Sequence, residues 1–239
     1  AIGEGSVWYL YSKLAAHEIH AFDPNARIII MLRDPVQMLY SLYRQFCFSA
    51  NEDQPSFTDA LAAEADRKQG RRIPPLAHTI PGLYYRDVAR YSEQVARYLQ
   101  VFDREQIHII LFDDFVANTA GVYRDVLAFL GLDEGFRPAF ERINISKEVR
   151  SPGLIRMLSR LGISPLMIKN SAPVQFLMSR MPSDGSSRLL NALISLYARP
   201  ARSEPIDPAL RHQLLLEFAP DIDRLANLID RDLSHWHRQ

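Results

Sequence analysis

Cysteine is almost absent from this chain: Cys47 stands alone among 239 residues, so no internal disulfide can form. That excludes disulfide-framed scaffolds and favours a reducing compartment, which points to the cytoplasm. Net charge is lacking as well. Lys plus Arg (28) equals Asp plus Glu (28), so no overall field draws the protein to nucleic acid or to an anionic membrane. No apolar run approaches the length of a transmembrane segment, and the residues from Ala1 onward show no basic-then-apolar pattern. Glycine is scarce, at 10 residues, and no Gly-x-x-Gly-x-x-Lys run offers a backbone cradle for phosphate. Repeats and low-complexity tracts are missing too. What remains is 47% hydrophobic, enough for one sizeable core over residues 1–239 without requiring a second domain.

The most informative segment joins a strand to a helix. Ala26 to Leu32 is a β-branched apolar run of strand length. Being apolar on both faces, it reads as an interior strand of a parallel sheet. Asp34-Pro35 then signals a helix start, with Asp as the cap and Pro at the first helical position. Arg33 therefore stands at the carboxyl end of a strand, where open α/β sheets bind ligands. Asp34, Met38 and Ser41 fall on one helical face, and Val36, Leu39, Tyr40, Tyr43, Phe46 and Cys47 form the apolar stripe. A guanidinium and a hydroxyl about two turns apart suit the grip of one oxyanion. The plainer alternative is an ordinary helix start with a surface Arg33 and a solvated Ser41.

Elsewhere, helical spacing predicts a helix over 12–22 with Leu14, Ile19 and Phe22 inward. Ser56 to Asp59 resembles a capping box opening a helix to Lys68. Residues 84–102 read as one helix, Ile107 to Phe112 as a second buried strand, and 119–131 as a helix stopped by Gly131. A terminal helix pair runs over 207–236, interrupted at Pro220. Cys47 reads as a small buried hydrophobe. His17 with His20, and Asp113 with Asp114, could hold a metal, but exposed histidines and a turn-capping acid pair are the plainer account. The basic run Arg67 to Arg72 is a solvated helix end or a platform for an anionic acceptor.

Arg33-Asp34-Pro35 followed by Ser41 resembles the sulfotransferase segment that holds the 3′-phosphate of 3′-phosphoadenosine 5′-phosphosulfate (PAPS). Residues 3–12 resemble the stretch before that strand in bacterial sulfotransferases and their heparan-modifying relatives. Gly82 to Tyr85, Ile107 to Asp114 and Val126 to Leu132 follow in the family's order. The resemblance implies an α/β fold, a parallel sheet flanked by helices as in P-loop nucleotide hydrolases, with a helical carboxyl-terminal half. It implies cofactor contacts from Arg33 and Ser41, from Tyr84 or Tyr85 at a helix mouth, and from Ser146, Lys147 and Arg150 in a closing loop. Arg202 lies in a rival basic loop, positioned like the late basic loop of the heparan-modifying enzymes. Glu4 is the one carboxylate placed in a family-like segment as a candidate base. The family's Gly-rich, Lys-containing 5′-phosphosulfate loop has no counterpart here, so the chain reads as amino-terminally incomplete, and alone it could be inactive.

The expected activity is sulfuryl transfer from PAPS, leaving adenosine 3′,5′-bisphosphate (PAP), to a hydroxyl or amine of a carbohydrate or small metabolite, with no metal and no nucleic-acid partner. Two readings compete with it. One is a noncatalytic module that keeps the 3′-phosphate grip, and the other is a metal-dependent nucleotide kinase of related fold.

Overall fold

A computed structural model describes residues 2–140, 147–149, 198–200 and 205–237. The chain divides into two compact units, one of Ala1–Met38, Val88–Arg142 and Pro208–Gln239, the other of Leu39–Asp87 and Ile143–Asp207.

The first unit is organised on two parallel strands. β1 (Ile28–Leu32) pairs with β2 (Ile107–Leu111), Ile28 opposite Ile107 and Leu32 opposite Leu111. Both apolar runs thus become strands of one α/β sheet. The expectation of two buried faces holds for one: Ile30 and Leu32 are buried, whereas Ile29 and Met31 are 42% and 48% exposed. β2 ends a residue earlier than its apolar run because Phe112 opens the next helix, α7 (Phe112–Ala117).

α1 (Ala15–Phe22) starts later than its periodicity suggests, since Ser12 is spent as a cap, its Oγ accepting from the N–H groups of Leu14 and Ala15. Its inner face is also different: Ala15 and Ala16 are buried, while Leu14 and Phe22 are exposed. α8 (Thr119–Leu130) is bounded as expected. Asn118 Oδ1 accepts from Gly121 N–H, and Gly131 closes the helix at φ 67°, a left-handed conformation that favours glycine.

The helix expected over 84–102 is two helices. α5 (Tyr85–Val88) and α6 (Tyr91–Leu99) are separated at Arg90, whose ψ of 76° leaves the helical region. The reason lies far along the chain. Asp221 accepts from both the backbone N–H and the hydroxyl of Ser92, so a distant carboxylate caps the start of α6.

Asp221 belongs to α9 (Pro208–Ile229), which packs on α6 and runs through Pro220 without interruption. Proline removes one helical hydrogen bond. The stripe Leu214, Leu215, Phe218, Ile222, Leu225 and Ile229 stays buried on both sides of it, and that burial outweighs the loss. A 3-10 turn at Ser234–His237 follows and buries Trp236.

On β2, the His108 ring stacks on Phe129 of α8 at 5.1 Å. Burial, opposed by Asp125 and aided by Arg104, holds its pKa below the ordinary 6.5. The unfolded chain therefore takes up this proton first as pH falls, so stability is lost as pH drops from about 6.5 through the folded pKa. Urea unfolding between about pH 7.5 and pH 5 should show this slope, and His108→Phe should flatten it. An unchanged slope in the variant would assign the dependence elsewhere.

The second unit contains most of α2 (Pro35–Phe48), α3 (Phe57–Ala62), α4 (Glu64–Arg67) and a ribbon of β3 (Lys147–Val149) with β4 (Ala198–Pro200). The α2 stripe is largely buried, Leu39, Tyr43 and Phe46 included. Phe57 lies 5.5 Å from the rings of both Tyr40 and Tyr43 and 6.1 Å from Tyr85. Ser56 caps α3 by accepting from Asp59 N–H, but its hydroxyl donates back to the Asp59 carboxylate, so the reciprocal half of a capping box is not made.

Within this unit Arg67 is fully buried and grips Glu52 with two hydrogen bonds, of 2.8 and 2.6 Å. Glu52 also accepts from the Tyr85 hydroxyl at 2.7 Å and from the backbone N–H groups of Asp53 and Gln54. Burial foremost, then the Glu52 charge, pushes the Tyr85 pKa far up, so its phenol stays a donor.

Candidate anion-binding site

Arg33 follows the last residue of β1, and Asp34 fixes the turn after it. Asp34 Oδ1 accepts from the N–H groups of Val36 and Gln37 at 2.8 and 3.1 Å, the cap geometry its position before Pro35 predicts. Its other oxygen accepts from Arg211 Nη2 of α9 at 3.2 Å. The carboxylate is thus buried but satisfied on both sides.

The Arg33 guanidinium is held in two ways. Its Nη2 donates to Gln37 Oε1 at 3.0 Å, one helical turn on, and its plane lies over the Phe112 ring, 4.8 Å to the centroid. The Nε atom is buried with no hydrogen-bond partner. A buried N–H without an acceptor among the described residues is rare and costly, and a charge-assisted acceptor beside the guanidinium would relieve it. Below it, Tyr91 is buried; burial first, then the charge of Asp34, raises its pKa, while Arg33 pulls the other way. That phenol stays neutral.

Ser41 is exposed on α2, a continuous helix from Pro35 to Phe48, about two turns beyond Asp34. Tyr85 lies in the interior with its hydroxyl on Glu52 and offers no surface to a nucleotide in this arrangement. Tyr84 is half-buried, its hydroxyl donating to the Arg67 carbonyl at 3.4 Å and its ring beneath the Lys68 ammonium at 5.7 Å. Glu4 is exposed beside Tyr9, whose hydroxyl it hydrogen-bonds, raising the Tyr9 pKa. Ser146, Arg150 and Arg202 lie outside the described residues, and Lys147 is described by its backbone. The ribbon nevertheless relates the two basic loops that sequence set as rivals. Lys147 pairs with Pro200 and Glu148 with Arg199, so the segments run side by side.

The acidic pair after β2 is engaged. Asp113 Oδ2 accepts from Trp236 Nε1 at 2.8 Å and lies 3.1 Å from His235 Nε2, and Asp114 pairs with Arg231 at 2.6 Å. His20 packs edge-on against Phe102. Among the described residues, no group of three or more His, Cys, Asp or Glu side chains is placed to hold a metal ion. The basic run is neutralised by acids outside it: Arg67 pairs with Glu52, Lys68 with Asp87 and Glu64, and Arg71 and Arg72 share Asp66. It is a charge-paired helix end. Gln37, Phe112 and Arg211 went unnoticed in sequence; only Gln37, four residues after Arg33, carried a local signal there.

A parallel strand pair flanked by helices, with a held guanidinium at a strand's carboxyl end, defines an α/β protein. The crystal structure of a sulfotransferase from Alicyclobacillus acidocaldarius superposes with a TM-score of 0.67 at 32% identity, covering 100% of this chain and 68% of that one. The sequence profile of the Sulfotransferase family matches residues 11–137, and the chain belongs to that family. Carbohydrate sulfotransferase 15 of Homo sapiens is 31% identical over 48% of this chain, and that of Mus musculus 30%. The chain spans 22% of the length of these curated relatives. No helix among the described residues is long and apolar enough to cross a membrane.

Proposed function

We propose that this protein takes part in sulfuryl transfer from PAPS to a hydroxyl or amine of a carbohydrate. Family membership supports the reaction class, and the names of the curated relatives favour a sugar acceptor. The observation that carries the donor is the Arg33 guanidinium at the end of β1, whose Nε has no hydrogen-bond acceptor among the described residues. A 3′-phosphate accepts from that guanidinium and neutralises a cation that pairs with no acid among the described residues. Ser41 is the neutral donor that the family resemblance assigns to the same phosphate. Such contacts lie away from the reacting sulfur. They fix the nucleotide so that its sulfuryl group faces the acceptor, and binding energy made there is spent on alignment.

Calorimetric titration of PAP against adenosine 5′-monophosphate tests this reading. The protein should prefer PAP by roughly tenfold or more, the worth of one charge-assisted contact. Arg33→Ala should remove the preference while leaving the monophosphate affinity nearly unchanged. Equal binding of the two nucleotides by the unaltered protein would overturn it.

A further inference from the structure

We infer that Arg211 of α9 is a positioning residue for recognition of the 3′-phosphate, acting through Asp34 on Arg33. The inference rests on the reading of Arg33 given above. Arg33 has no direct contact with Arg211 among its described hydrogen bonds; the path runs through the turn they share. Asp34 is one peptide unit from Arg33, and its two carboxylate oxygens do different work. One caps α2 at Val36 and Gln37, and Gln37 is the side chain that receives the Arg33 guanidinium. The other accepts from Arg211, in a pair whose side chains are 21% and 5% exposed.

A single-oxygen cap leaves a carboxylate free to rotate about its last bond. A second partner on the opposite oxygen stops that rotation, and it stops the drift of the first turn of α2 with it. The guanidinium is directed by Gln37 on that turn and by Phe112 beneath, so a wandering turn would release one of its two supports. Phe112 is steadied from the same end of the chain. The residue after it, Asp113, is held by Trp236 and His235. Both supports of Arg33 therefore trace to residues beyond 207, and Arg211 is the one that touches the turn itself.

A positioning role and a merely structural one separate in the ratio of two affinities. Arg211→Gln should lower the preference for PAP over adenosine 5′-monophosphate by about fivefold to tenfold, with the monophosphate affinity within about twofold of the unaltered protein. Arg211→Lys, which keeps a cation at Asp34, should restore most of the ratio. Asp34→Asn keeps the capping oxygen and loses the charge facing Arg211, and should reproduce the Arg211→Gln result if that variant folds poorly. Thermal unfolding on the same samples reports stability separately. A ratio unchanged in Arg211→Gln and Asp34→Asn overturns the inference, as does a parallel loss of both affinities that tracks the melting temperature. If the unaltered protein shows no preference, the Arg33 reading fails and this inference with it. If the preference exists and vanishes in Arg33→Ala but survives in Arg211→Gln, the inference alone fails.

Discussion

Alanine at Arg67 is expected to destabilise the protein by about 3–5 kcal/mol, the typical consequence of removing one partner from a buried ion pair. Arg67 and Glu52 are both removed from water, with side chains at 0% exposure. Burial alone would lower the Arg67 pKa, but its bonds to Glu52 raise it, so the guanidinium stays charged. Without the guanidinium, Glu52 keeps the Tyr85 hydroxyl and two backbone N–H groups but loses its countercharge. Urea unfolding at neutral pH measures the loss. The double change Arg67→Met with Glu52→Leu should recover a large part of it, because two apolar side chains leave no charge stranded. A single Arg67→Ala variant within about 1 kcal/mol of the parent would show that this carboxylate is wetter than the structure makes it.

Trp236→Ala should be comparably damaging, about 3–5 kcal/mol for an aromatic removed from a packed site. For a domain of this size that corresponds to a fall in melting temperature of roughly 10 °C. Trp236 is 1% exposed and donates to Asp113, tying the final turn to the helix after β2. Trp236→Phe keeps most of the packing and loses the N–H, and should cost only about 1 kcal/mol. Near-identical melting temperatures for the alanine variant and the parent would mean that the last turn contributes little to the core.

The turn that holds Arg33 was legible because its signals are local. An apolar β-branched run, an Asp cap and a Pro at the first helical position each state their role within a few residues. Its support was not. Phe112 and Arg211 reach Arg33 and Asp34 from distant elements, Arg211 from 177 residues away, and nothing in a local pattern encodes that meeting. The same blindness hid the interior bonds of Arg67, read as part of a helix end either solvated or facing an acceptor, and of Tyr85. Their common partner Glu52 lies 15 and 33 residues away. Pro220 misled in the opposite sense: the rule it follows is real, but a helix buried along its length outweighs one missing hydrogen bond. The family resemblance, in contrast, drew on the order of several segments at once, and that order survives in the matched span of residues 11–137.

Neighbouring strands β1 and β2 are separated in the chain by everything from Arg33 to Gln106, and the helix that seals α6 arrives only with residues 208–229. During synthesis, then, β1 waits through a long excursion before it meets its mate. The start of α6 waits as well, because its cap Asp221 emerges 129 residues after Ser92. A ribosome stalled before residue 208 would hold a chain whose two strands are made while the partner of α6 is still missing, a species prone to clump with others of its kind.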